Sequence, residues 1–542
     1  MPQLILGPLL RYADATSATV WVETDEPCEV EVLGRRASTF HVGGHHYALV
    51  EIDGLEPEGV EYAVALDGER RWPVPDSGLP PSRITPLTPG RELRIAFGSC
   101  RVAAPHQGPW LRERREDTSG RGVDALMALA QRMAGEPPER WPSLLLMVGD
   151  QVYADDASPQ TREFIARRRS TDVAPGDEVA DFEEYTQLYR ESWTEPLIRW
   201  LLSTVPSAMI FDDHEIVDDW NISAAWKREM AATPWWADRI AGGLSSYWIY
   251  QHLGNLSPAE LRDNALYAQV RAAPDGEPLL REFALRTERT TAGDRWSYSR
   301  ELGGTRLVVV DSRAGRLLTE DRREMLDDEE WAWLEQRLTG DVDHLLIATS
   351  LPYLLPHAIH DLEAWNEAVC DGVWGQAAAA LGERLRRAVD LEHWAAFRSS
   401  FARMAGALRE VAGGERGRAP ASIVLLSGDV HYAYLAEAGF PGRPSPTRIY
   451  QAVCSPFRHG LSPPMELANR ISFSRPLTRI GELLRWLARV PRPPIRWRMQ
   501  HGPFFENEVA TLELRGREAW VRLDRTPPRE LRLECADVTR LV

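Results

Sequence analysis

The chain has 542 residues, 44% hydrophobic and 26% charged, with a formal net charge of −17, an ordinary composition for a globular protein of several domain-sized units. Of its 63 basic residues only Lys227 is a lysine, and its setting, Trp226-Lys227-Arg228-Glu229, fits neither a phosphate loop nor a kinase-type lysine; Schiff-base chemistry would rest on that one residue. The acid surplus argues against nucleic acid as a general partner, because phosphate backbones are bound by basic stripes.

The start, from Met1 to Gly7, has neither a charged leader nor a long apolar run, so no signal peptide is expected. No later run approaches the ~18 apolar residues of a membrane span. The cysteines, Cys28, Cys100, Cys370, Cys454 and Cys535, are scattered and odd in number, which is no disulfide framework and leads to a cytoplasmic, reducing expectation. Within residues 1–88, short runs at 18–22, 28–33, 46–52 and 61–66 alternate with period two between Gly, Pro and Asp-Gly turns. They predict an all-β sandwich domain, with a Pro-, Ser- and Gly-rich linker from Pro73 to Pro89.

A different pattern marks the predicted catalytic domain, residues 89–465. Continuous apolar runs at 93–97, 144–148, 208–211, 307–310, 345–348, 423–426 and 450–453 each end in polar residues. Such runs suit strands buried on both faces in an α/β fold, and α/β sheets hold ligands beyond the carboxyl ends of their strands. One shared site is therefore expected. Between them, Asp327 to Leu334 predicts a helix with acids in its first turn. The long inserts at 157–200, 221–300 and 358–418 read as helical and Trp-rich, either walling the site or packing at the periphery.

In Gly149-Asp150-Gln151-Val152-Tyr153 the glycine lets the chain turn, and a turn brings Asp150 and Tyr153 together. A carboxylate can bridge two cations, and a phenolate suits Fe(III). Asp212-Asp213-His214-Glu215 packs four ionisable groups after a buried strand, a charge density that cations or solvent must resolve. A ligand role suits Asp213, a phosphate-facing role suits His214, and Asp212 is expected to brace the histidine or the backbone. Asp218 and Asp219 either reach a further calcium ion or stay on the surface, the surface reading being preferred. In Gly428-Asp429-Val430-His431, Asp429 and His431 point the same way on an extended segment. A Cys100 thiolate would favour a transition metal over magnesium, against the reading of a packed, inert cysteine.

The ordered set Gly98-Ser99-Cys100, Gly149-Asp150-x-x-Tyr153, Asp212-Asp213-His214-Glu215 and Gly428-Asp429-Val430-His431 resembles the alkaline phosphatase D (PhoD-like) family. That family belongs to the calcineurin-like metallophosphatases, as do the purple acid phosphatases. The resemblance implies a four-layer αββα metallophosphatase sandwich behind a fibronectin- or immunoglobulin-like N-terminal domain. It implies Fe(III) and Ca(II), with Zn, Mn or Mg as alternatives, held by Cys100, Asp150, Tyr153, Asp213, Asp429 and His431. The implied activity is attack of a metal-activated hydroxide on a small phosphate mono- or diester, without a covalent phosphoenzyme. His214 would contact the phosphoryl group or protonate the leaving alkoxide, and Arg101, or Arg313, would clamp phosphate oxygens. The superfamily's Val-x-x-His ligand has no match near 347–352; His357 and His360 come a few residues later, and no residue is assigned to that ligand. A Gly-x-Ser-x-Gly elbow is absent, which argues against a serine esterase. The alternatives are a broad phosphodiesterase and a metal-binding scaffold without turnover.

Residues 466–542 are read as a basic helix and a β-hairpin completing the catalytic domain. Between Glu466 and Gln500 arginines from Arg470 to Arg498 meet only two acids, with Leu483, Leu484, Trp486, Leu487 and Val490 as an apolar face. Packing on an acidic protein surface is the preferred reading of this helix, and contact with an anionic membrane is the other.

Overall fold

The computed structural model describes residues 1–88, 90–290, 295–319, 321–442 and 445–542; Pro89, the end of the expected linker, and 291–294 of the second insert lie outside the described residues. Near the N-terminus, strands β1 (Leu4–Ala13), β2 (Ser17–Thr24), β5 (Phe40–Val42) and β6 (His45–Asp53) form one antiparallel sheet in the order β1-β2-β6-β5. Strands β3 (Glu29–Val32), β4 (Arg35–Ser38), β7 (Val64–Leu66) and β8 (Glu69–Trp72) form a second, ordered β4-β3-β7-β8. The apolar residues of these alternating strands, among them Leu10, Val20, Val30, Val50 and Val64, share one core, as period-two patterning requires.

Two larger sheets follow. The first joins β9 (Leu93–Gly98), β10 (Leu144–Val148) and β11 (Ser207–Ile210), all parallel, to β19 (Glu508–Arg515), β20 (Glu518–Arg525) and β21 (Glu534–Arg540), in the order β11-β10-β9-β19-β20-β21. The second contains β12 (Tyr298–Leu302), β13 (Thr305–Val310), β14 (His344–Thr349), β15 (Ser422–Ser427), β16 (Ala433–Gly439), β17 (Arg448–Val453) and β18 (Arg496–Phe504), ordered β12-β13-β14-β15-β17-β16-β18. Its strands β13, β14, β15 and β17 are parallel. Side chains of β13 divide by parity. Leu307 and Val309 enter a core with Ile95, Phe97 and Leu512 of the first sheet and Leu126 and Met133 of helix α1 (Ala125–Ala134). Val308 and Val310 enter a second core with Phe401, Met404 and Leu408 of helix α4 (Arg398–Ala412). Strands buried on both faces explain the unbroken apolar runs.

The inserts are largely helical, including α2 (Phe182–Trp193) and α3 (His357–Cys370). The expected single basic helix is instead two, α5 (Pro463–Ser472) and α6 (Arg475–Leu487), and its last arginines, Arg496 and Arg498, lie on β18. Pro491, Pro493 and Pro494 bar the helix from continuing. The predicted hairpin forms as β19–β20, and β19 pairs antiparallel with β9, so the chain's end extends the sheet that carries Cys100. No helix among the described residues is long and apolar enough to cross a membrane.

Candidate metal centre and active site

Strands β9, β10, β11, β13 and β15 deliver Cys100, Asp150, Asp213, Arg313 and Asp429 just beyond their carboxyl ends. The turns that do so are strained. Cys100, Asp150, Asp429 and His431 all have left-handed backbones, with φ of 57°, 52°, 67° and 57°, a region that costs a non-glycine residue free energy and clusters at functional sites. Gly149, at φ 109°, allows the sharp exit from β10, and a Cβ there would lie 2.7 Å from Asp212 Cβ. At Gly428 a Cβ would lie 2.0 Å from Ser99 Oγ; that hydroxyl accepts the Asp429 N–H at 2.9 Å and so ties two site loops together.

Three sets of donor atoms converge, each set lying within 4.8 Å: Cys100, Asp150 and His431; Asp150, Asp213 and His214; Asp212, Asp213 and Asp429. Asp150 belongs to the first two sets and Asp213 to the last two, so the sets form one continuous group. Cys100 Sγ is 3.4 Å from Asp150 Oδ2, and Tyr153 donates its hydroxyl to the same oxygen at 3.2 Å. All are buried except His214, Asp429 and His431, which are partly exposed. Burial raises the pKa of Asp150, Asp212 and Asp213, and the charges of His214 and Arg313 offset it only in part. Burial likewise raises Cys100 and Tyr153. Asp150 Oδ1 and Asp212 Oδ2 are buried without any hydrogen-bond partner among the described residues. Such stranded acids are costly unless cations neutralise them, and the thiol, phenol, imidazole and carboxylate donors are metal ligands by type. The residues therefore fit a metal centre.

His214 is held at Nδ1 by both oxygens of Asp155, at 2.9 and 2.8 Å, and packs on the Tyr153 ring at 4.7 Å. Burial disfavours its charged form, but Asp155 and then Asp213 outweigh this and its pKa lies well above the ordinary value. Asp155 is a functional residue that the motif pattern does not single out, although it lies only two residues beyond Tyr153. The pattern gives Glu215 no role either. The Glu215 carboxylate accepts the backbone N–H groups of Asp150, Gln151 and Asp212, at 2.9, 2.8 and 2.9 Å, and Gln251 Nε2 at 3.1 Å, and so pins two ligand loops. His459 was missed as well; its Nδ1 lies 3.1 Å from His431 Nδ1, and its ring stacks on Tyr153 at 5.1 Å. From the third insert, Glu363 holds His393 Nδ1 at 2.7 Å and His393 Nε2 meets Asp429 Oδ2 at 3.0 Å, so part of this insert does wall the site. No sequence signal marks His393.

Both arginine expectations need correction. Arg101 is buried and turned away: its guanidinium is paired with Asp124, the N-cap of α1, and with the carbonyl and hydroxyl of Ser192 on α2. Arg313 does reach the site, but it is paired with Asp212 and Glu392 and lies 3.2 Å from Asp213 and 3.5 Å from Asp429. It is fully buried and balances four acids, although its Nη2 has no hydrogen-bond partner among the described residues. Asp212 pairs with Arg313 and braces neither His214 nor the backbone. Asp219 donates its N–H to Asp213 and Asp218 its N–H to Asp155. His357 bonds the Trp497 carbonyl and His360 packs on Phe401 and Trp497, so neither stands in for the missing histidine ligand.

This constellation defines a candidate metal-dependent hydrolase of the α/β class. A family model described as PhoD-like phosphatase matches residues 121–447, and the chain belongs to that family. A domain of unknown function, DUF7800, matches residues 1–84. The solved structure "Structure of PhoD" superposes with a TM-score of 0.60 at 13% identity, covering 99% of this chain and 90% of that one, a likeness of fold. A maltogenic amylase from S. marinus, with a TM-score of 0.16 at 9% identity, covering 96% and 76%, carries no argument. No curated protein matches by sequence.

Proposed function

We propose that the protein is a metal-dependent phosphoric ester hydrolase, the observation that carries this being the Cys100, Asp150 and His431 donors lying beside Asp212, Asp213 and Asp429, with Asp150 within 4.8 Å of Asp213. The parity split of β13 between two cores supports the four-layer αββα arrangement, and the two N-terminal sheets support a fibronectin- or immunoglobulin-like sandwich. Boundaries at 1–88, 89–465 and 466–542 are our division of the chain.

The donors divide by chemistry. Cys100, Tyr153, His431 and Asp150 offer sulfur, phenolate, nitrogen and carboxylate, a set for a transition metal, which we assign as Fe(III). Asp212, Asp213 and Asp429 offer only oxygen and suit a hard cation such as Ca(II); Zn, Mn or Mg are the alternatives. Arg313 shares these oxygens and already supplies one positive charge. When bound, the cations supply Lewis acidity, acidifying a water and drawing charge from phosphate oxygens.

The chain's own residues do the rest. Asp155 accepts the Nδ1–H of His214, which leaves Nε2, 3.8 Å from Asp218 Oδ1, as the atom that faces the phosphoryl group and donates to the leaving oxygen. Glu215 and Ser99 hold the ligand loops in register. The clamp on non-bridging oxygens passes from Arg101 and Arg313 to Arg114. Its Nη1 is buried without a hydrogen-bond partner among the described residues, and its charge helps depress the pKa values of His431 and His459, after burial as the main cause.

The test is hydrolysis of a chromogenic phosphate monoester and diester by chelator-treated protein, with and without added iron and calcium. Turnover restored only by metal supports the reading, and the ratio of the two substrates separates a monoesterase from a phosphodiesterase. A metal-replete protein that turns over neither ester would leave the scaffold reading.

A further inference from the structure

Helices α5 and α6 present an apolar face that none of the described residues covers. Met465 is 52% exposed, Leu467 59%, Ile480 52%, Leu483 53% and Trp486 69%. The opposite side of α6 is the packed one: a Cβ on Gly481 would lie 3.1 Å from the Ala358 carbonyl of α3, and Arg485 pairs with Asp361 of α3 at 2.8 Å. α6 thus packs on α3 along one side only. On a helical wheel Ile480, Leu483 and Leu487 form a stripe flanked by Trp486, Arg475 and Arg479. Arg475, Arg479 and Arg489 are exposed and enter no ion pair among the described residues.

We propose that this α5–α6 face docks on an anionic lipid bilayer. Exposed Trp and Leu interleaved with unpaired Arg is the pattern of an interfacial helix, whose apolar side chains enter the acyl boundary while the cations meet lipid phosphates. Charge decides among occupants. A second copy placed on the same face would bring like charges together, whereas an anionic bilayer complements the basic face. The chain's net charge of −17 opposes approach to such a bilayer, so binding depends on this local face within the ~8 Å screening length at physiological salt. Docking also orients the active site. Phe473, at the α5–α6 elbow, packs edge-on against Tyr432 at 5.8 Å, next to His431, and Gly460 and Leu461 link His459 to α5.

The experiment is flotation of the full chain with phosphatidylcholine vesicles, with and without phosphatidylglycerol. Two double variants accompany it, Leu483→Ser with Trp486→Ser and Arg475→Glu with Arg479→Glu. All four positions are exposed, and unchanged melting temperatures confirm that folding is intact. The chain is expected to float with the anionic vesicles alone, less so at high salt, and each double variant to weaken partition about tenfold. Wild-type chain remaining at the bottom with anionic vesicles, or both variants floating as well as wild type, overturns the proposal. A concentration-dependent dimer lost in the Leu483/Trp486 variant, without flotation, would give the face to a second copy instead. None of these readouts depends on hydrolysis.

Discussion

Asp155→Asn isolates the step assigned to His214. Asn keeps the shape of the side chain and can still accept the Asp218 N–H, now 2.7 Å away, but it removes the charge that faces His214 Nδ1 at 2.8 Å. A hydrogen bond to a charged group is worth ~1.5–3 kcal/mol, and each ~1.4 kcal/mol of barrier is tenfold in rate. A fall in kcat of about 10- to 100-fold is expected, with KM little changed. The sign of the pH effect follows from the charges. Asp155 and Asp213 raise the His214 pKa against burial; bound cations would neutralise Asp213, leaving Asp155 as the main support. As a proton donor, His214 loses function as pH rises through its pKa, so the alkaline limb of the kcat profile should move to lower pH in Asp155→Asn. The assay is steady-state hydrolysis of para-nitrophenyl phosphate across pH, with metal content measured on the same samples. A wild-type kcat and pH profile would refute the Asp155–His214 pairing as functional. Loss of metal would make Asp155 a ligand-shell residue instead.

Arg114→Ala should raise KM for phosphate esters about tenfold or more while metal content holds; an unchanged KM removes Arg114 as the clamp. Gly428→Ala forces a Cβ to within 2.0 Å of Ser99 Oγ and should cost ~1–3 kcal/mol or more of stability and some bound metal, read by thermal melting and elemental analysis. His45 joins the N-terminal domain to α2 through Glu183 and also meets Glu23, both at 2.8 Å. Burial lowers its pKa, but the bonds to Glu183 and Glu23 outweigh that and raise it from 6.5 to about 9. That stability is present in full below ~6.5 and is lost as pH rises through about 9, with a ceiling of ~3 kcal/mol. His45→Gln should therefore melt below wild type near pH ~6 and together with it above pH ~9; a pH-independent gap would contradict the linkage.

The ligand-bearing strand ends were legible because doubly buried strands read as unbroken apolar runs, and the polar residues that follow have nowhere to go but the sheet edge. Asp150, Asp213 and Asp429 stood out for that reason. Arg313 and Arg101 looked alike in sequence, each just past a strand, and only packing shows that one reaches the acids while the other turns to Asp124. His393 and His459 carried no local signal, since long-range loop packing brings them in. Strands β12, β18 and β21 were missed because they lie at sheet edges, where side chains alternate or face solvent and the apolar run breaks; β16 was missed although it opens with the buried run Ala433-Tyr434-Leu435-Ala436. The prolines that end the basic segment were visible, but its apolar face suggested one continuous helix.

Asp150→Asn shows whether the carboxylates at the strand ends hold the metals that drive hydrolysis. Metal content and turnover of a phosphate ester are measured on one preparation beside wild type. Both are expected to fall together, since Asp150 is a donor with Cys100 and His431 and lies within 4.8 Å of Asp213. Asp150→Asn with full metal and full turnover would contradict it.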